Sequence, residues 1–544
     1  IPSWLLRRHR SIPAMIRTSA AKFGENPAII DGGCRWSFSD LERMMLRSGA
    51  AAVANDILPG DRVAVWAPNR AEYVAAAAGI LAVGAWLVPL NTRYRGEEAA
   101  YVLEKTRASA LFMVRHFLEL DYLSMLRQAA PHLPVLDHPI FLDRADGGNE
   151  GMGWAEFLEA GHPVPDKVVI DHIEAIDPED VSDVMFTSGT TSRPKGVLLG
   201  HRQSLLAFDV WNEAGYRLGP EDRVMIIPPF FHCFGYKAGW MMAALVGATS
   251  YPVAVFDAEA ALRLVQEERI TVLPGPPTVF TSMLDHPHCG RYDLSSLRAA
   301  FVGATSVPIS LVRRLYHELG VAIVSTGYGL TEATAAVSVT HPDDPPEAVA
   351  GSAGRIIPGV QVDVVDEDGR PVPFGAAGEL MVRGFNVMRG YLDDPEATAE
   401  TLTPDGWLRT GDIATYEAEG LLRIVDRKKD IYIAGGFNVS PAEVENTLGR
   451  HPAVAEVAVI GVPDHRLGEV GAAFVVPRPG QQPGPDDIVL WAREHLANYK
   501  VPRMVRLVDS LPRNASGKVV KTKLRQLHDQ LVDRPNSRSR KRVL

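Results

Sequence analysis

Short, β-rich apolar runs recur along this chain between helix-like segments, and that alternation restricts its architecture more than any other feature. The runs fall at 62–67, 181–187, 223–228, 270–273, 299–302 and 322–325. Strand and helix in alternation indicate an α/β class, with layered, largely parallel sheets and ligand loops at the strand ends. A chain of 544 residues exceeds one ordinary core, so two or more domains are expected. Around 349–379 the character changes to strands punctuated by Gly and Pro, as in Gly351-Ser-Ala-Gly-Arg355 and Asp366-Glu-Asp-Gly369. That predicts a smaller β-rich unit over 349–426. A second boundary at Asp426-Arg-Lys-Lys-Asp430 opens a compact α+β domain with strands at 456–462 and 472–477 and a helix at 486–497. The expected division is therefore 1–426, 427–533 and a disordered basic tail at 534–544.

Composition narrows the function classes. A formal charge of -10 argues against a global nucleic-acid binder, which needs a basic face to displace counterions. Cys34, Cys233 and Cys289 are widely spaced and odd in number, so neither a disulfide framework nor a cysteine zinc site is expected, and a reducing cytoplasmic setting fits. The most membrane-like stretch, 74–90, contains Gly79, Gly84 and Pro89 among many alanines and reads as a buried helix running into a strand. The apolar and arginine residues at the N-terminus lead into no long hydrophobic core and cleavage site, so no signal peptide is expected.

The richest chemistry lies in Phe186-Thr-Ser-Gly-Thr-Thr-Ser-Arg-Pro-Lys-Gly196, directly after an apolar strand. Thr187, Ser188, Thr190, Thr191 and Ser192 carry hydroxyls, Gly189 and Gly196 add flexibility, and Lys195 adds a point charge. Such a loop offers backbone N–H and hydroxyl donors to a polyphosphate. Its Gly and Lys spacing differs from the Walker loop, and no Ser or Thr follows the lysine. A polar surface turn is the plainer alternative.

The stretch from Thr187 to Gly196 resembles the signature of the adenylate-forming superfamily of acyl-CoA synthetases, luciferases and nonribosomal adenylation domains. Further matches follow in that family's order. They are Phe231-His232, Tyr328-Gly-Leu-Thr-Glu332, Gly378-Glu-Leu380 with Gly390-Tyr391, Gly406-Trp-Leu-Arg-Thr-Gly-Asp412 and Asp426-Arg427, then Gly435-Gly436 with Pro441-Ala-Glu-Val-Glu445, and Pro512-Arg-Asn-Ala-Ser-Gly-Lys518. They span nearly the whole chain. The resemblance implies a large N-terminal domain, a small mobile C-terminal domain, and an acyl-CoA ligase that uses ATP, Mg²⁺ and coenzyme A.

The resemblance also implies roles. Glu332 would bind Mg²⁺, and Thr331 would contact phosphate or the acyl carboxylate. Tyr328, beside Gly327, would offer a face to adenine, with Gly303, Ala304 and Thr305 bordering the base and acyl group. Asp412 is an acceptor suited to the ribose hydroxyls and Arg427 to ribose or phosphate. Lys518 would bridge the reacting carboxylate and nucleotide oxygens, then leave as the small domain rotates about Lys429 and brings Gly436 beside the pantetheine channel. His232 would position or gate, without acting as a base. Phe231, Phe234, Gly235, Trp240 and Gly275 fall where the family builds its acyl pocket, the glycines making room among aromatics. These segments look similar to bacterial ligases for steroid- or terpenoid-derived ring acids; a medium-chain fatty or aryl acid is the alternative.

Ser192 departs from the pattern, since the family most often has glycine there. A Cβ at such a turn can obstruct positive φ or close phosphate approach. One alternative is therefore an enzyme confined to thioesterification, supplied with preformed acyl-adenylate by another enzyme. Others are an adenylation enzyme that loads a carrier protein, a luciferase-like oxygenase and a nucleotide-binding module without catalysis.

Overall fold

The structure is a computed structural model that describes residues 10–144, 148–187, 194–303, 307–428, 430–434, 437–464, 466–514 and 518–532. The chain divides into two compact units, one formed by Ile1–Asp363, Met381–Thr410 and Glu417–Leu422, the other by Val364–Leu380, Gly411–Tyr416 and Arg423–Leu544. It thus passes between them more than once. The single cut expected after Asp426 lies just beyond the last passage.

The first unit holds two large sheets. One runs in the order Ile323–Ser325, Ala299–Val302, Val272–Gly275, Arg223–Ile226, Thr249–Pro252, Pro27–Asp31 and Cys34–Ser37, parallel except for the last pair. The other runs Gly390–Tyr391, Lys195–Gly200, Val181–Thr187, Trp86–Pro89, Arg62–Trp66, Ala110–Met113, Ile140–Phe141 and Met152–Gly153. Its first two pairings are antiparallel and the rest parallel. This matches the layered α/β class read from the alternation of strands and helices. The run at 270–273 starts later than expected, at Val272, because Arg269 (φ 51°) closes the helix Ala258–Glu268 and the Ile270 N–H is still bonded to the Val265 carbonyl. The membrane-like stretch resolves into the buried helix Ala71–Ala82 and strand Trp86–Pro89, and no described helix is long and apolar enough to cross a membrane.

A fully buried ion pair lies under the strand that carries Thr187. Lys237, in the π-helical segment Tyr236–Met241, donates from Nζ to Asp183 Oδ2 at 2.9 Å and to Ser204 Oγ at 2.5 Å, and both charged side chains are 0% exposed. Ser182 Oγ donates to the same carboxylate oxygen at 2.7 Å. Nearby His201 is held neutral, its pKa pushed down to about 3, first by burial and then by the Lys237 and Arg389 charges. Its Nδ1 accepts from the Ile12 N–H at 3.3 Å.

The second unit is built on a twisted sheet in which Gly468–Pro477 pairs with Val454–Asp464, Tyr432–Ala434 and Met504–Leu507, and Phe437–Val439 pairs with Tyr432–Ala434. Successive side chains of a strand point to opposite faces. Accordingly Val459 and Ala473 pack with Val444 and Ile488 on one side, and Ile460 and Phe474 pack with Leu524 on the other. The β-rich stretch expected at 349–426 appears as Val360–Val365, Ala377–Gly384, Leu408–Tyr416 and Leu422–Arg427.

Removing one member of a buried pair leaves the other charge uncompensated, at about 3–5 kcal/mol. Lys237→Met is therefore expected to lower the urea midpoint of the first unit sharply. The double variant Lys237→Met with Asp183→Leu should recover most of the loss; equal midpoints for single and double variants would contradict this account.

Candidate active site

The strand before the hydroxyl-rich loop and the strand after it are in register: Thr187 pairs with Lys195, and the pairing continues through Phe186 with Gly196 and Met185 with Val197. Thr187 and Lys195 are thus brought together at the base of the loop, whereas Ser188, Gly189, Thr190, Thr191 and Ser192 lie outside the described residues. Lys195 Nζ rests over the ring of Tyr391, 4.9 Å from its centroid. Tyr391 is fixed in turn by antiparallel pairing with Val197, and its N–H donates to Thr398 Oγ1 at 2.9 Å. The preceding Gly390 has φ 143°, a conformation that favours glycine.

The Tyr328-to-Glu332 stretch runs from the short strand Gly327–Tyr328, which pairs with Ser338–Val339, into a 3₁₀ turn, Thr331–Ala333. Beyond it Thr334 and Ala335 sit at φ 55° and 58°, two left-handed non-glycine residues in succession. That geometry costs roughly 1–2 kcal/mol per residue and persists only where its surroundings enforce it. Gln203 supplies the enforcement. Its Nε2 donates to Thr334 Oγ1 at 2.8 Å and to the Asn386 and Val387 carbonyls at 2.9 Å, while Thr334 Oγ1 donates to the Asn386 carbonyl at 2.7 Å. The Met388 N–H donates to the Glu332 carbonyl at 2.7 Å. So held, Glu332 presents Oε1 to the Tyr391 hydroxyl at 3.0 Å. Lys195 and Glu332, far apart in sequence, therefore meet on one tyrosine.

The candidate acyl region follows Arg223–Ile226. Buried Asn69 donates from Nδ2 to the Ile226 and Pro228 carbonyls at 3.0 and 2.9 Å, and its Oδ1 accepts from the Phe230 N–H at 2.7 Å. His232 caps the next turn, its Nδ1 accepting from the Phe234 N–H at 3.2 Å. Half-buried Phe234 packs edge-on against Phe301 at 5.4 Å, and Phe301 packs against Trp211 at 4.8 Å. A Cβ at Gly303 would meet these two phenylalanine rings at 3.1 and 3.5 Å. Phe231 is half-buried, and buried Gly275 accepts the Gly303 N–H at 3.1 Å.

Two expectations need correction. A Cβ at Gly235 would lie 2.2 and 2.3 Å from the Pro228 and Pro229 carbonyl oxygens, so this glycine admits the protein's own backbone and makes no room for an acyl group. Trp240 is 1% exposed and stacked on Tyr236 at 5.0 Å, which places it in the packed interior. Ala304, Thr305, Lys429 and Gly436 lie outside the described residues.

In the second unit Asp412 is buried within Leu408–Tyr416, and Arg427 ends the strand Leu422–Arg427. Lys518 is pinned through its backbone: its N–H donates to Asn514 Oδ1 at 2.9 Å, and the Asn514 N–H donates to its carbonyl at 2.8 Å. Three residues on, Lys521 pairs with Glu445 at 3.0 Å, and Glu445 Oε1 also accepts the Val459 N–H at 2.7 Å. Burial pushes the Glu445 carboxyl up, against the pull of Lys521. Tyr391, Gln203, Asn69 and Glu445 carry this geometry, yet none was singled out as a site residue from sequence. Tyr391 and Glu445 at least lay inside recognised motifs.

The family model described as AMP-binding enzyme matches residues 16–392, and that described as AMP-binding enzyme C-terminal domain matches 443–518. The chain belongs to the AMP-binding enzyme family. It is 48% identical over 517 residues to the 3-[(3aS,4S,7aS)-7a-methyl-1,5-dioxo-octahydro-1H-inden-4-yl]propanoyl:CoA ligase of Rhodococcus jostii (strain RHA1), covering 94% of this chain and 98% of that one. It is 47% identical to the ligase of the same name from Mycobacterium tuberculosis, covering 95% and 99%. Among solved structures, the anthranilate CoA ligase AuaEII in complex with anthranoyl-AMP aligns with a TM-score of 0.86 at 26% identity, covering 96% of this chain and 98% of that one. As a member of this family the chain is an AMP-forming acid–thiol ligase, with ATP and CoA as substrates.

Replacing Gln203 with Leu would take the amide donor from the Val387 carbonyl and the Thr334 hydroxyl and leave the Asn386 carbonyl with Thr334 alone, at about 2 kcal/mol. The expected result is a lower thermal midpoint together with a rise in KM for ATP. An unchanged KM for ATP would show that the left-handed turn is held without Gln203.

Proposed function

We propose that the chain converts a carboxylic acid on a compact, fused-ring apolar body into its CoA thioester. The observation that carries this reading is its likeness, over nearly the full length of both chains, to two ligases named for a propanoyl group on a methyl-dioxo-octahydro-indene. Half-buried Phe231, and half-buried Phe234 backed by Phe301 and then Trp211, supply flat apolar faces suited to such a ring system.

In the first step a carboxylate oxygen attacks the α-phosphorus of ATP; a new P–O bond forms, the bridge to the β-phosphate breaks, and pyrophosphate leaves. Charge spreading over phosphate oxygens calls for fixed cations. Lys195 supports the phosphates from the base of the loop, aided by Thr187 and the hydroxyls of Ser188, Thr190 and Thr191, with Gly189 allowing close approach. Thr331 contacts phosphate or the acid's carboxylate, and Lys518 bridges that carboxylate and the nucleotide. Tyr328 lies against adenine, with Gly303, Ala304 and Thr305 at its border, while Asp412 accepts from the ribose hydroxyls and Arg427 contacts ribose or phosphate. In the second step the CoA sulfur attacks the acyl carbonyl, the C–S bond forms, AMP leaves, and the thiol proton passes to solvent or the departing phosphate. For this step the domain carrying Lys518 turns about Lys429 and presents Gly436 to pantetheine, while His232 orders the passage.

Among the described residues no three His, Cys, Asp or Glu side chains gather into a cation cage, and Glu332 is the carboxylate proposed for the cation. One carboxylate plus substrate phosphates and waters is a donor set that suits Mg²⁺. Bound there, the ion would neutralise phosphate charge.

The names of the two ligase relatives, each ending in CoA ligase, favour the whole reaction over thioesterification alone, carrier loading or oxygenation. Ser192 lies outside the described residues. Wild-type protein given ATP and its preferred acid is expected to release pyrophosphate, and Ser192→Gly should change that rate by less than about threefold, under 1 kcal/mol of barrier. No release from the wild type, with normal CoA transfer from a synthetic acyl-adenylate, would establish the half-reaction enzyme instead.

The substrate class is tested with a panel of acids, ATP and CoA. A propanoate on a fused-ring ketone should exceed octanoate and ferulate in kcat/KM by at least about tenfold, a difference within reach of apolar pocket contacts. A linear or aryl acid at the top of the panel would overturn the ring-acid reading.

A further inference from the structure

A loop lysine meant for phosphate and a carboxylate meant for a cation have an obvious way to fail: they can pair with each other. Two such charges near a surface attract strongly once they come within contact. A nucleotide would then have to break that pair before using either charge. Tyr391 touches both groups. Its ring lies under Lys195 Nζ at 4.9 Å, and its hydroxyl donates to Glu332 Oε1 at 3.0 Å.

Neither contact neutralises a charge. A ring face holds an ammonium through its quadrupole and leaves the cation whole, and a phenol hydrogen bond orients a carboxylate and leaves the anion whole. The Thr401 hydroxyl is another hydrogen-bond neighbour of the phenol.

The backbone around Tyr391 is fixed from both directions. Its strand pairs with the strand that Lys195 begins, and the Leu392 N–H donates to the Gly196 carbonyl at 2.7 Å. Upstream, the Met388 N–H holds the Glu332 carbonyl and Asn386 Nδ2 donates to the Ala336 carbonyl at 2.8 Å. One short stretch, 386–392, thus ties the loop's return strand to the acidic turn and delivers Tyr391 between them.

We infer that Tyr391 is a positioning residue that keeps Lys195 and Glu332 apart and fully charged, so that the phosphates of ATP and its divalent cation each meet a prepared partner. This rests on the reading of Lys195 as a phosphate contact and Glu332 as a cation ligand. The role belongs to adenylation alone, because transfer from a finished acyl-adenylate uses neither the triphosphate nor its metal.

The test uses the full chain, ATP without any acid, and Mn²⁺ in place of Mg²⁺, with binding read by electron paramagnetic resonance and calorimetry. Tyr391→Phe keeps the ring and loses the donor, so Mn²⁺ should be held about tenfold more weakly in the ternary complex, the value of one charge-assisted hydrogen bond, with metal-free ATP affinity unchanged. Tyr391→Ala frees the two charges to pair and should weaken metal-free ATP as well. Adding Glu332→Gln to the alanine variant removes the competing anion and should restore metal-free ATP affinity to that of Glu332→Gln alone. CoA transfer from a synthetic acyl-adenylate should stay within about twofold in both single tyrosine variants, a change of less than 0.5 kcal/mol.

If the alanine variant stays equally weak with and without Glu332→Gln, or if transfer falls in parallel with binding, Tyr391 is scaffold and the inference fails. Lys195→Ala and Glu332→Gln serve as separate controls. Should these leave Mn²⁺–ATP binding intact, the nucleotide reading of the site is itself wrong and the inference falls with it. Should they weaken binding while neither tyrosine variant does, only the inference is lost.

Discussion

Burying a lysine and an aspartate together is costly unless each finds the other and the remaining polar groups are satisfied. The Asp183–Lys237 pair meets the first condition through a direct contact and goes part way to the second through Ser182 and Ser204. Asp183 Oδ1 has no partner among the described residues. Asp183 lies on the strand that ends at Thr187, and Lys237 follows the turn that carries His232 and Phe234. The pair therefore ties the strand leading into the hydroxyl-rich loop to the segment proposed to face the acid. An apolar pair could fill the same space but would not define which turn of the π-helical segment lies over which strand residue.

The polar network above this pair solves a different problem. Left-handed backbone at Thr334 and Ala335 has no glycine to ease it, and the amide of Gln203 together with the carbonyls of Asn386 and Val387 holds it in place. Strain of this kind is affordable where the surroundings over-determine the conformation. Here they do so beside the carboxylate whose direction matters most, since Glu332 leaves the same turn whose backbone Met388 grips.

Much of this was legible in the residues themselves. Strand runs with β-branched character marked the large sheets, and the hydroxyl-rich stretch marked a loop after a strand; that its ends, Thr187 and Lys195, are cross-strand partners came only with the fold. What escaped reading shares one physical cause. Lys237 sits in an aromatic, glycine-rich run where an isolated lysine looks like a surface charge, and only the fold brings Asp183 to it. Gly235 looked like vacant space because sequence records the missing side chain and not the Pro228 and Pro229 carbonyls that occupy its place. Tyr391 was visible as part of a motif, but its work depends on Lys195 and Glu332 converging from distant parts of the chain, a relation that no local pattern encodes.

The crowding at Gly235 also bears on how such an enzyme can diversify. If a glycine beside the acyl region were empty space, enlarging it would be the cheapest mutational route to a smaller substrate. With two carbonyl oxygens within 2.3 Å of the required Cβ, that route is closed, because any side chain there displaces the turn that carries His232. If Phe231 and Phe234 line the acid as proposed, changes of acid preference would instead pass through these half-buried rings. Lineages that differ in substrate should accordingly vary at those aromatic positions while keeping the glycine between them and the helix unchanged.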